Sequence, residues 1–280
     1  MKTRIITAIV ACCVLLPVLI FSNTVIFPIC MAVCSFLAIY EISSCIGLKK
    51  AFTLTVPLYL FAAGLPFLIR YSENLEAVYR AALVICAMTA LYLFAVLTFS
   101  HGKYQLSQVA TLFMTAFYIL AGFNAIILLR DYEYGGKYVY LTVFIAAWVT
   151  DTFAYFCGML FGKGGKHKLI PDVSPKKTVE GSIGGIVFCM LAMVIFGIVI
   201  NQISNLNANY LLLIIAGFLA SVVSQVGDLC MSVIKRTYGI KDYGKLFPGH
   251  GGVLDRFDSV IAVSLVLAAF GAFFNFFEVL

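Results

Sequence analysis

Residues 232–258 read SVIKRTYGIKDYGKLFPGHGGVLDRFD, a polar stretch set between two apolar ones. It carries Lys235, Arg236, Lys241, Asp242, Lys245, His250, Asp255, Arg256 and Asp258, with five glycines and a proline among them. The run before it (209–235) and the run after it (253–278) are each long enough to cross a hydrocarbon core, which takes about 20 residues of helix. Backbone groups in hydrocarbon must bond within the chain, so such runs are expected to be helices rather than open strands. Working outward, apolar runs at 5–22, 24–42, 51–70, 78–99, 107–129, 138–161 and 182–202 complete the pattern, with ends uncertain by ~2–4 residues. The expected fold is all-α: a polytopic integral membrane protein with about nine transmembrane helices.

Composition agrees. The chain is 62% hydrophobic and 11% charged, with a mean hydropathy of +1.03. A soluble domain carries about 25% charged residues. The spans use up the length, so no separate soluble domain is expected. The opening MKTR and the run IITAIVACCVLLPVLIF read as a first membrane helix, because no clear A-x-A cleavage site follows. The chemistry-bearing residues gather late, which divides the chain into an N-terminal transmembrane region of about five helices (1–135) and a catalytic transmembrane region (136–280). The nine cysteines lack zinc-site spacing and read as packing residues.

With the N-terminus placed in the cytoplasm, fifteen of the nineteen Lys and Arg residues fall on that side. Only Arg70, Arg80, Arg130 and Lys137 fall on the other. This asymmetry is the positive-inside pattern. It puts every unusual polar segment at the cytoplasmic face, where nucleotides are found and anionic phosphates are attracted.

Asp151 and Asp228 lie inside predicted spans, where a charge costs about 2.5–3.5 kcal/mol on insertion scales. Such residues face a cavity or a partner, or else pair with a buried cation to fix helix packing. Ser221, Ser224, Asp228, Ser232 and Lys235 recur at i, i+3, i+7, i+11 and i+14, one polar stripe on an apolar helix. Asp255 and Asp258, three apart at the start of the last helix, share a face. Alone they would read as N-terminal capping. With Asp228 they read as hard-oxygen ligands for Mg²⁺. Arg256 between them suits a phosphate or the carboxylates themselves.

The Pro248-Gly249-His250-Gly251-Gly252 turn is glycine-rich but lacks the GK[ST] ending of a P-loop. Glycines there let backbone N–H groups approach a ligand, with Gly251 and Gly252 as the candidates, and His250 either donates to a phosphate or caps the loop. A second basic loop, residues 162–185, holds Ser174, Lys176, Lys177 and Thr178 ahead of Gly181, Gly184 and Gly185. A basic loop feeding a helix N-terminus is an anion site in waiting, or else only a topology signal.

At these residues the chain resembles the phosphatidate cytidylyltransferase family, also called CDP-diacylglycerol synthases. Its pattern S-x-[LIVMF]-K-R-x4-K-D-x-[GSA]-x2-[LIF]-[PG]-x-H-G-G-[LIVMF]-x-D-R-x-D is met at every specified position from Ser232 to Asp258. SPKKTVEG (174–181), the GDL around Asp228 and the DxxAYxxG from Asp151 to Gly158 are also similar to that family. The resemblance covers about residues 145–260. It implies transfer of a cytidylyl group from CTP to phosphatidate for phospholipid biosynthesis, by a Mg²⁺-dependent, dimeric membrane enzyme. It leaves room for a second cation, monovalent or divalent. Cytosine and diacylglycerol come from the resemblance alone. On this reading Asp228, Asp255 and Asp258 hold Mg²⁺, while Lys235, Arg236, Lys241, Arg256 and His250 serve the reacting phosphates. Ser174, Lys176, Lys177, Thr178, Asp151, Ser224, Gly251 and Gly252 bind substrate. The expected partners are CTP, phosphatidate, the lipid bilayer and a second copy of the chain, with no nucleic acid. The expected location is a bacterial inner membrane.

The rival enzyme is a CTP-dependent lipid kinase of the dolichol- or phytol-kinase type. A CDP-alcohol phosphotransferase would need a D-G-x2-A-R-x8-G-x3-D-x3-D run, which does not occur. A rival from another class is an ion-coupled transporter with Asp151 and Asp228 as coupling carboxylates. Such proteins often show internal repeats, and none is evident between the two halves.

Overall fold

The computed structural model describes residues 10, 13–162 and 167–279. The structure is mostly helical. Its elements are α1 (Ile26–Cys45), α2 (Phe52–Tyr71), α3 (Leu75–Phe99), α4 (Leu106–Arg130), a short α5 (Gly136–Val139) and α6 (Leu141–Phe161). They continue with strands β1 (Lys168–Ile170) and β2 (Ser174–Thr178), α7 (Val179–Ile203), β3 (Leu206–Ala208), α8 (Tyr210–Thr237), α9 (Leu254–Gly271) and β4 (Phe277–Val279). Seven of the described helical stretches are long and apolar enough to cross a membrane: α1, α2, α3, α4, α5 with α6, α7 and α8. The first expected span, 5–22, is helical over 13–20, and much of the rest lies outside the described residues.

Two compact units are present: Met1–Ile127 with Ile240–Arg256, and Leu128–Gly239 with Phe257–Leu280. In the first, α1 packs on α2, with Phe36 against Tyr59 at 4.6 Å between ring centroids, and Phe27, Met31, Ile39, Leu54 and Leu58 of the two helices are fully or almost fully buried. Pro57 lies inside α2. It has no N–H to give the carbonyl of Thr53, four residues back. The Tyr92 hydroxyl of α3 donates to that oxygen at 2.7 Å, so an acceptor that lipid could not satisfy is met by a neighbouring helix. Gln108 of α4 likewise donates from Nε2 to the Ile46 carbonyl at 2.9 Å, where α1 ends.

In the second unit, α6, α7 and α8 pack on one another. Small residues make this possible. A Cβ on Gly181 would overlap the Ala154 carbonyl oxygen, one on Gly184 would overlap the Cys157 side chain, and one on Gly217 would stand 3.1 Å from the Met190 Cα. Close backbone approach of this kind drives helix association where lipid is as apolar as the side chains. The glycines that open α7 therefore face α6. Gly181→Ala is expected to destabilise the protein by about 1–3 kcal/mol, because the carbonyl it meets belongs to a helix backbone and cannot swing away. A thermal melt in detergent that leaves the midpoint unchanged would contradict this packing.

Caps set the helix starts. Asn74 Oδ1 accepts from Ala77 N (2.9 Å), Thr178 Oγ1 from Gly181 N (3.1 Å) and Asn209 Oδ1 from Leu212 N (3.2 Å). The last expected span, 253–278, is shorter than its apolar run: α9 stops at Gly271. Phe276 then packs edge-on to Tyr132 and beside Phe270, and β4 pairs antiparallel with β3 in the register Asn207↔Glu278. Hydropathy alone could not see this, since a buried aromatic turn and a helix end are equally apolar.

Candidate active site

In the second unit the polar stripe of α8 points inward. Ser221 and Ser224 are fully buried and Lys235 nearly so, while Val226, Cys230 and Val233 between them are exposed. Thr150 of α6 donates to Ser221 Oγ at 2.9 Å. Gln225 Nε2 donates to the carbonyls of Ser182 and Ser221, both at 3.4 Å. Ser224 Oγ has no hydrogen-bond partner among the described residues. A buried hydroxyl in that state costs about 1–3 kcal/mol, so it is poised to serve a bound polar group.

Lys177 Nζ stands 2.5 Å from Asp228 Oδ2, and Ser232 Oγ donates to Asp228 Oδ1 at 3.3 Å. The strand geometry of β2 explains why two adjacent lysines differ. Successive side chains point to opposite faces, so Lys177 turns inward to Asp228 and Lys176 stays exposed. Asp258, buried on α9, interacts electrostatically with Asp228, Lys235 and Asp151. Its Oδ1 accepts from Ser259 N at 2.9 Å, and Ser259 Oγ donates to Asp151 Oδ2 at 3.3 Å. Asp151 itself is exposed in the middle of α6. These side chains alternate carboxylate and ammonium. Among the described residues no three His, Cys, Asp or Glu side chains converge tightly enough to grip an ion. The Lys177 ammonium is instead the cation resting on Asp228. That observation and the hard-oxygen donors suit a divalent cation at this place.

The second basic loop is a hairpin. β1 and β2 pair antiparallel, and the Val179 N–H donates to the His167 carbonyl at 2.9 Å. His167 Nδ1 meets Glu180 Oε1 at 2.6 Å. Ser174 is half-buried, and the Thr178 hydroxyl caps α7. Residues 163–166 of this loop lie outside the described residues.

In the first unit, residues 240–256 form a tight turn. The Phe247 N–H donates to the Gly251 carbonyl (2.9 Å) and His250 N–H to the Phe247 carbonyl (2.8 Å), with Gly249 at φ +80° and Gly251 at φ +86°. A side chain would be strained at both. Asp255 is buried, and its Oδ2 accepts from Tyr243 N (2.7 Å) and Gly252 N (2.9 Å). The Gly252 N–H is thus turned onto Asp255 rather than outward to a ligand. Lys241, Lys245 and Arg256 are exposed here, as is Arg236 at the end of α8.

Glu41 lies outside every motif of the sequence. It accepts from Val253 N at 2.9 Å and Leu254 N at 2.8 Å. The signal was present, since Glu41 is a carboxylate inside the expected 24–42 span, the same anomaly that singled out Asp151 and Asp228. Ser259 carried no such signal.

A model of the cytidylyltransferase family matches residues 2–274, nearly the whole chain. The chain belongs to that family. Among cytidylyltransferases similar to it are the phosphatidate cytidylyltransferases of Staphylococcus haemolyticus, 33% identical over 263 residues, and of Staphylococcus saprophyticus, 32% identical over 263 residues. That of Staphylococcus aureus strain COL is 32% identical over 271 residues. Each alignment covers 94% of this chain and 96% of the relative. The cytidylyltransferase kinship therefore includes the first helices, which the motifs alone did not reach.

Proposed function

We propose that this membrane enzyme transfers the cytidylyl group of CTP to phosphatidate, giving CDP-diacylglycerol and pyrophosphate. A phosphatidate oxygen attacks the α-phosphorus of CTP, and the bond from that phosphorus to the bridging oxygen of the β-phosphate breaks. The observation that carries the reading is kinship over 94% of the chain with proteins named phosphatidate cytidylyltransferase.

The phosphatidate phosphate is already an anionic nucleophile, so no strong base is needed. The difficulty is to bring two charged phosphates together and to stabilise the leaving pyrophosphate. Exposed Lys176 and Arg236 offer cations to the triphosphate or the lipid phosphate. Lys177 and Lys235 balance the charge of Asp228 and Asp258. Ser224 offers its buried hydroxyl. Asp228 and Asp258 would hold Mg²⁺; for Asp255 the same role is supported by the sequence motif alone. When bound, the ion supplies Lewis-acid neutralisation of phosphate charge. The enzyme acts as a homodimer in a bacterial inner membrane, with its N-terminus and site facing the cytoplasm; the excess of Lys and Arg on that side supports the orientation.

Purified protein, phosphatidate and Mg²⁺ are supplied with CTP labelled at the α- or the γ-phosphate. The α label is expected in extracted lipid and the γ label in pyrophosphate. Appearance of the γ label in lipid would make the protein a lipid kinase instead.

A further inference from the structure

We infer that Glu41, on α1, is a positioning residue for the transfer reaction: its carboxylate clamps the first turn of α9 and sets the turn that carries Asp255. The inference rests on the reading above, in which Asp255 serves cytidylyl transfer. All the groups concerned lie in the first unit. Glu41 is 6% exposed, on a helix otherwise built of apolar and small polar residues. Its two oxygens are divided between two consecutive backbone donors, Oε1 to Val253 and Oε2 to Leu254. Those N–H groups begin a helix and have no acceptor within it. Gly244 and Gly252 lie flat against the carboxylate: a Cβ at Gly252 would overlap both oxygens, and one at Gly244 would meet Oε1. Two glycines of the turn are therefore room for Glu41.

Asp255 then takes the donors that Glu41 leaves. Tyr243 and Gly252 give their N–H groups to its Oδ2. Four backbone donors are thus split between two carboxylates, and the position of Asp255 depends on where Glu41 holds the helix start. Only a carboxylate presents two acceptor oxygens and no donor; a glutamine would turn an NH₂ toward one of the N–H groups. Both oxygens of Glu41 are engaged by backbone, which makes it a support rather than a group that touches substrate.

The test compares the full-length wild type, Glu41→Gln and a control, Met31→Ala. Met31 is buried on the same helix, ten residues and about 15 Å away along its axis. Hydrogen exchange of the 243–255 backbone is read by mass spectrometry, beside kcat, KM for CTP and thermal midpoint. Glu41→Gln is expected to speed exchange at 252–254 at least ~10-fold and to lower kcat by a similar factor. KM for CTP is expected to stay within about twofold, because both oxygens of Glu41 are engaged by backbone N–H groups. Met31→Ala should lower the midpoint without the other changes. Wild-type exchange and kcat in Glu41→Gln, or activity falling only in step with folded protein as in the control, would overturn the inference. If Glu41→Gln fails to fold, Glu41→Asp keeps both acceptors on a shorter stem and is read by the same criteria. If the wild type makes no CDP-diacylglycerol, the functional reading fails, and the exchange result alone upholds or overturns the clamp.

Discussion

Asp228→Asn is expected to remove turnover, with kcat falling about 10³-fold or more, in protein that still inserts and folds. Asp228 combines two tasks. Its Oδ2 carries the Lys177 ammonium at 2.5 Å, and its charge is part of the group that includes Asp258 and Lys235. The asparagine keeps the size of the side chain and can still accept from Ser232, so the helix face is preserved. The ion pair itself is a modest stabiliser. Its side chains are 23% and 27% exposed, and a partly solvated pair is worth only about 1 kcal/mol. Stability should therefore change little while chemistry is lost. The measurement is CDP-diacylglycerol formation across a Mg²⁺ titration, beside a thermal melt. Activity near that of the wild type at ordinary Mg²⁺ would remove Asp228 from the metal set.

Asp255 gives the second large effect, and two substitutions separate its structural from its chemical part. The Oδ2 atom accepts from Tyr243 N and Gly252 N in a buried turn. Asp255→Asn can present its amide oxygen to both donors, so the turn persists and only the charge is lost. Asp255→Ala leaves two buried N–H groups without an acceptor, at about 1–3 kcal/mol each. Turnover is expected to fall about 100-fold or more in both, whereas the thermal midpoint drops clearly only in the alanine variant. If Asp255→Asn keeps full activity and Asp255→Ala loses it along with the fold, Asp255 is a loop organiser and nothing more.

Both residues bear on what the motif means. A run such as HGGVLDRFD reads naturally as a phosphate cradle, with glycine N–H groups presented to a ligand. In the folded chain the donors of Gly252, Val253 and Leu254 are spent on Asp255 and Glu41. The glycines are needed because these carboxylates lie against them, and because φ is positive at Gly249 and Gly251. Gly181 and Gly184 follow the same logic, being spaces for α6 rather than openings for an anion. In the proposed reaction the cations offered to phosphate are therefore lysine and arginine side chains rather than these glycine N–H groups.

The apolar runs were enough to point to a mostly helical chain with several helices of membrane length, seven among the described residues where about nine were expected, because a bilayer forces backbone bonds to close within each segment. The stripe Ser221–Lys235 could be read from spacing alone, because helical periodicity decides which side chains share a face whatever surrounds them. The order of charged residues from Ser232 to Asp258 was enough to point to the family. Only the tertiary structure decided that Lys177 rather than Lys176 meets Asp228, since strand alternation does not say which face is inward. Only it ended α9 at Gly271 and turned Phe276 back against Tyr132, since burial by protein and burial by lipid look alike in hydropathy. And only it joined Glu41 to residues more than two hundred positions away, because a hydrogen bond between a side chain and a distant backbone N–H leaves no periodic trace in the chain.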